Sequence, residues 1–127
     1  MNFEQTRIYQ RSLDLVALAR QVIDDLPTGC GFLADQLRRA SASVVLTFAE
    51  GYDKGSRAEQ QRFFHMSRGS AQEVAAIFDV AQRLGAIAPD QHARGKELCD
   101  HVVRMLFRFR ASRAGSFCPP ASHGRAR

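Results

Sequence analysis

Little in this sequence argues for a membrane, an oxidising compartment or a metal. No apolar run approaches the roughly 20 residues that a membrane-spanning helix requires. The opening MNFEQTRIYQRSLDLV also lacks the basic-then-apolar order of a secretory signal, so the expected location is the cytoplasm. Cysteine is scarce: Cys30, Cys99 and Cys118 are odd in number and stand at no metal-like spacing, which argues against a disulfide framework or zinc knuckle and for buried or inert thiols. The histidines are His65, His92, His101 and His123, and none has a glutamate three residues before it, as the di-metal sites of helix bundles require. Glu97 and His101, four apart, read as a surface contact.

Lysine is rarer still, with two against 16 arginines, and the planar arginine fork suits phosphate or carboxylate better than a bare ammonium does. Acid is missing from one segment altogether. Residues 1–100 hold 12 Lys and Arg against 13 Asp and Glu, whereas residues 101–127 hold the other six cations, all arginine, and no acid. The net charge of +5 therefore belongs to the C-terminal segment, which carries Arg104, Arg108, Arg110, Arg113, Arg125 and Arg127.

The 127 residues suffice for one domain and one core. Strand alternation is absent, and four segments carry helical periodicity. In the first, about residues 4–26, Ile8, Leu15, Ala19, Val22 and Leu26 form a stripe that Pro27, Gly29 and Gly31 interrupt. The second, about 31–51, carries Leu33, Leu37, Ala40, Val44 and Phe48, with Gly51 expected as a left-handed C-terminal stop. Ser56 and Glu59 match a capping box and open the third, where Phe63, Ser67, Ser70, Val74, Ile77, Ala81 and Leu84 recur at alternating steps of four and three before Gly85. Pro89 and Asp90 open the fourth, about 90–112, striped by Leu98, Val102, Leu106 and Phe109. Short connections between helices of this length predict an all-α, antiparallel up-down-up-down four-helix bundle over residues 1–114, with 115–127 as a disordered tail.

Small residues cluster at 40–43 and 67–71. Gly69 in mid-helix costs roughly 1 kcal/mol relative to alanine, and a close approach of helix backbones at its level is the expected compensation, with serine hydroxyls bonding back to helix carbonyls. Glu50 raises a second question, because a carboxylate beside the negative end of a helix dipole is unfavourable. The turn that follows delivers the N-terminus of the third helix, and Lys54, Arg57 and Arg62 stand nearby in sequence, so Glu50, Gly51, Ser56 and Glu59 are read as a structural corner.

Chemistry is harder to find. The loop Gly51 to Ser56 lacks the spacing and the preceding strand of a phosphate-binding loop. No serine, cysteine or lysine stands in a nucleophile setting, so no enzyme, catalytic residue, metal or cofactor is expected. The basic fourth helix remains. Its bland reading is a solvated face with cations well placed near a helix C-terminus. Its functional reading is a phosphate-contacting stripe of Arg104, Arg108, Arg110 and Arg113 that binds nucleic acid, and the lack of acid after Asp100 favours it. Val102, Val103, Met105, Leu106, Phe107 and Phe109 exceed what one seam can hold, so another subunit is expected to cover the surplus.

The string Gln36-Leu-Arg-Arg-Ala-Ser-Ala-Ser43, then Phe48-Ala-Glu-Gly51, Ser56 with Glu59, Arg62-Phe63, Gly69-Ser70-Ala71-Gln-Glu73 and Leu84-Gly85 resembles the four-helix-bundle family of 23S rRNA intervening-sequence proteins. Relatives of that family include the accessory variability determinant of diversity-generating retroelements. The resemblance spans about residues 3–110, with Phe3 and Tyr9-Gln10 also fitting. It implies a small cytoplasmic bacterial protein, a left-handed bundle, a homopentamer with a basic surface, and RNA or a reverse transcriptase as partner, with no catalytic site. The family's usual asparagine before the Ile-Ala-Glu-Gly stretch is missing, since Thr47 and Phe48 stand there, and the tail after Ala114 lies outside the resemblance. The two functions to weigh are a non-enzymatic RNA-binding oligomer and a protein scaffold that docks an acidic partner or a reverse transcriptase.

Overall fold

The computed structural model describes residues 2–116, with side chains as far as Phe109. Among the described residues a 3-10 turn, Phe3–Gln5, leads into four α-helices and no strand: α1 (Arg7–Asp25), α2 (Gly31–Tyr52), α3 (Arg57–Arg83) and α4 (Pro89–Ser116). The expected tail from 117 onward lies outside the described residues.

Local chemistry explains the boundaries. The Thr6 hydroxyl accepts the Tyr9 N–H at 3.1 Å and donates to the Phe3 carbonyl at 2.8 Å, so α1 starts at Arg7 rather than at residue 4. The Ser56 hydroxyl accepts the Glu59 N–H at 3.1 Å, as the capping box predicts, while the Glu59 carboxylate lies 3.8 Å from Arg62. At the other end of α3, Gly85 adopts φ +69°, and the Gly85 and Ala86 N–H groups bond the Gln82 and Ala81 carbonyls, a Schellman stop. Pro89 takes the first position of α4, where its missing N–H costs nothing, and the Gln91 side chain accepts the Ala88 N–H at 3.3 Å.

Gly51 is not the left-handed stop that its position predicts. It lies inside α2, buried, and the positive-φ glycines among the described residues are Gly29 and Gly85. Its role is spatial: a Cβ there would stand 2.5 Å from the Phe63 Cβ and 3.2 Å from the Phe64 ring. Gly95 on α4 is similar, since a Cβ would meet the Phe78 ring at 2.6 Å.

The predicted stripes become the core. Leu15, Val44, Val74 and Val102, one from each helix, are wholly inaccessible to solvent. Each helix packs against its sequence neighbour, and α4 returns to α1. Pairings between α2 and α3 run in opposite senses along the chain: Ser43 meets Ser70 at 2.9 Å, Ser67 donates to the Val44 carbonyl at 2.7 Å, and Gln60 donates to the Tyr52 carbonyl at 3.1 Å. These serine hydroxyls therefore bridge the helices, whereas those of Ser12 and Ser41 bond back to carbonyls of their own helix. The close approach expected at Gly69 is not there. A methyl group at Gly69 would meet nothing within 4 Å, because the neighbouring Ser67 and Ser70 occupy the side of α3 that touches α2.

At one end of the bundle the rings of Phe48, Phe64 and Phe109 pack at centroid distances of 5.5–5.9 Å. Phe109 thereby joins the core, as do the partly buried Val103 and Met105, because α4 is flanked by both α1 and α3. Of the six apolar residues that exceed one seam, Phe107 alone is exposed, at 57%.

Candidate nucleic-acid interface

Arg104 and Arg108 stand one turn apart on α4, and both side chains are exposed. The Arg104 Nε donates to Asp100 at 3.0 Å, an i,i+4 pair in which the arginine still keeps 68% of its side chain in solvent. Such exposed pairs are worth roughly 0–1 kcal/mol, so Asp100 orients Arg104 without sequestering it. The side chains of Arg110 and Arg113 lie outside the described residues.

Arg108 borders two hollows. On one side, Arg68 and Gln72 of α3 face Val103, Arg104, Phe107 and Arg108 of α4 across a groove of about 480 Å³. On the other, Arg7 and Ile8 of α1 face Met105, Arg108 and Phe109 across one of about 370 Å³. The structure thus adds cations from α1 and α3 to the stripe on α4. Arg68 is fixed from two directions, since it donates to His65 Nδ1 at 3.0 Å and its guanidinium lies 5.5 Å from the Phe107 ring centroid. Sequence reasoning missed Arg68 and Arg7 because they belong to other helices, and periodicity along one helix carries no information about what a neighbour brings beside it.

The corner residues fall at the junction of α2 and α3. Glu50 lies 3.7 Å from Lys54, one of its anticipated partners, and 58% of its side chain is exposed. Lys54 and Arg62 also sit over the Phe63 ring, at 5.0 and 4.7 Å.

A further ionic cluster joins α3 to α4 at the opposite end. Asp79 accepts from Lys96 at 2.7 Å and from His92 at 2.8 Å. The hydrogen bond from Lys96, followed by that from His92, holds the Asp79 carboxyl below the usual aspartate range. Nearby, Gln91 donates to Asp25 at 3.1 Å, so the end of α1 is tied to the start of α4. Cys99 is buried, and burial pushes its thiol up to about 12. Among the described residues no three potential metal ligands come together, and no helix is long and apolar enough to cross a membrane.

No curated protein matches this chain. Among solved structures it is similar to a protein of unknown function from the S23 ribosomal protein family of Bacteroides thetaiotaomicron, with a TM-score of 0.74 at 15% identity over 80% of this chain and 96% of that one. At that identity the likeness concerns the fold. The sequence itself matches the family model described as 23S rRNA-intervening sequence protein over residues 4–108, a span that reaches into all four helices and takes in Arg104 and Arg108. This chain, with its basic α3–α4 groove, therefore belongs to the family of 23S rRNA-intervening sequence proteins.

Proposed function

We propose that this protein is a non-enzymatic, cytoplasmic, oligomeric RNA-binding protein whose phosphate contacts are Arg104 and Arg108, continued along α4 by Arg110 and Arg113. The observation that carries the reading is the convergence of Arg68, Arg104 and Arg108 on one exposed groove. Three guanidiniums there can each pair with a phosphate oxygen and release counterions from the strand. The resemblance to homopentameric relatives supports a ring of copies, in which the acid-free segments would sum to a strongly basic surface.

Fluorescence anisotropy with a labelled single-stranded RNA tests this. Binding is expected at low salt, with log affinity falling by about 0.7 per phosphate contact for each unit of log salt concentration. No binding at low salt overturns the reading. Light scattering addresses assembly, and a mass near the 14.2 kDa of one chain at micromolar concentration would exclude the oligomer.

The second reading is a scaffold that docks an acidic protein or a reverse transcriptase. Phe107 favours it, because exposed aromatic and arginine side chains together are what protein interfaces concentrate at their centres. A complex that survives nuclease treatment and is lost on Arg104→Gln/Arg108→Gln would establish it.

A further inference from the structure

Phe107 is out of place for a purely ionic surface. The residue is 57% exposed while Val102 and Leu106 on the same helix are buried, and it stands among three arginines. A phosphate gains nothing from a phenyl ring. A solvent-exposed apolar ring costs a soluble protein some of its margin against aggregation, and this one is braced rather than loose, since Arg68 lies over it at 5.5 Å while donating to His65. Cation–π contact of this kind biases the position of both side chains even at an exposed site.

We propose that Phe107 is a stacking platform for an unpaired base of single-stranded RNA, with Arg68, Arg104 and Arg108 holding the phosphates on either side of that base. This rests on the RNA-binding reading and narrows it from a phosphate surface to a single-strand site. Three features of the groove carry it. The ring is flat and rigid, and the residue is exposed with the Arg68 guanidinium over one face of the ring, which leaves the other face for a base. The groove's volume of about 480 Å³ falls within the roughly 300–1,000 Å³ of small-ligand sites, so a nucleoside has room there. Gln72 lines the same groove and can donate to and accept from a base edge. In a duplex the faces of the bases are already stacked on one another, so an exposed aromatic ring can be used only by a base that is not paired.

The test compares three labelled probes in anisotropy titrations at fixed low salt: a single-stranded RNA, a fully paired duplex of matched length, and a strand of equal charge whose bases have been removed. The intact single strand is expected to bind roughly five-fold or more tighter than the other two, the range that loss of one base–aromatic stack produces. Phe107→Leu, which keeps an apolar side chain on an exposed site, should remove that preference, and Phe107→Tyr should restore it. Equal binding of all three probes by the natural protein, or Phe107→Leu that binds the single strand as the natural protein does, overturns the platform while leaving the phosphate reading intact. Failure of every probe to bind overturns both. A Phe107→Leu protein whose oligomeric mass changes in light scattering assigns the ring to a contact between copies and also overturns the platform.

Discussion

Gly51 of α2 and Phe63 of α3 approach so closely that a methyl group on the glycine would lie 2.5 Å from the Phe63 Cβ. Both ends of that contact are backbone-anchored, so relief requires moving a helix. Gly51→Ala is expected to destabilise the fold by about 1–3 kcal/mol through overpacking. Gly69→Ala should act in the opposite direction, stabilising by about 0.5–1 kcal/mol, because Gly69 is helical and surrounded by open space. Chemical denaturation of the two variants decides the matter, and a Gly51→Ala protein as stable as its parent would show that the two helices are further apart.

The pair between Asp100 and Arg104 makes a prediction about binding. Asp100→Asn releases the Arg104 fork and removes the last acid on α4, so RNA affinity should rise on the order of two- to five-fold, the amount an exposed ion pair is worth. Arg104→Gln should lower affinity and flatten the salt dependence by about one phosphate contact, or roughly 0.7 in slope. Anisotropy across a salt series measures both, and weaker binding by Asp100→Asn would place the phosphates elsewhere.

Acid sensitivity should be concentrated at Asp79. Its carboxyl titrates lower in the folded protein than in the unfolded chain, so the Lys96 and His92 contacts contribute stability that is present above the unfolded aspartate range and is lost as pH falls through the folded value. The expected result is a melting temperature that declines on acidification below about pH 4, and a shallower decline in Asp79→Asn. Identical acid profiles for the two proteins would show that the cluster contributes no linkage.

Cys99 should resist alkylation. Nucleophilic attack needs the thiolate, and a thiol held at about 12 has almost none at neutral or mildly alkaline pH. Mass spectrometry of the peptide containing Cys99 is expected to show labelling by iodoacetamide only after denaturant is added. Labelling of the native protein within minutes would mean that the α4 core opens readily.

What is legible in the sequence is whatever repeats along one helix. The stripes through Leu15, Val44, Val74 and Val102 follow from spacing alone, as do the cap at Ser56 and the stop at Gly85, since each rests on residues within a few positions of one another. Glycine is less legible, because its sequence setting does not distinguish a need for positive φ from a need for space. Gly85 is the first kind and Gly51 the second, although both close a predicted helix. Gly69 serves neither need in this structure, and nothing in it explains why glycine stands there. Glu50 shows a similar limit: its awkward position is visible in the sequence, but its 3.7 Å contact with Lys54 depends on how the turn folds. The binding groove is half legible. Arg104 and Arg108 stand out by spacing and by missing acid, whereas Arg68 and Gln72 enter only because α3 lies against α4.

Ser67 and Arg68 are consecutive, and consecutive helical residues point about 100° apart. The Ser67 hydroxyl, seated on the Val44 carbonyl at 2.7 Å, shares with the buried stripe of α3 in fixing the rotation of that helix about its own axis, and that rotation directs the next side chain across to Phe107. A buried hydroxyl on the α2 side of the helix thus acts as a key that aims a guanidinium on the α4 side. Exchanging Ser67 for a larger apolar residue would turn the shaft, so the aim of Arg68 can be lost through a substitution that touches no surface residue.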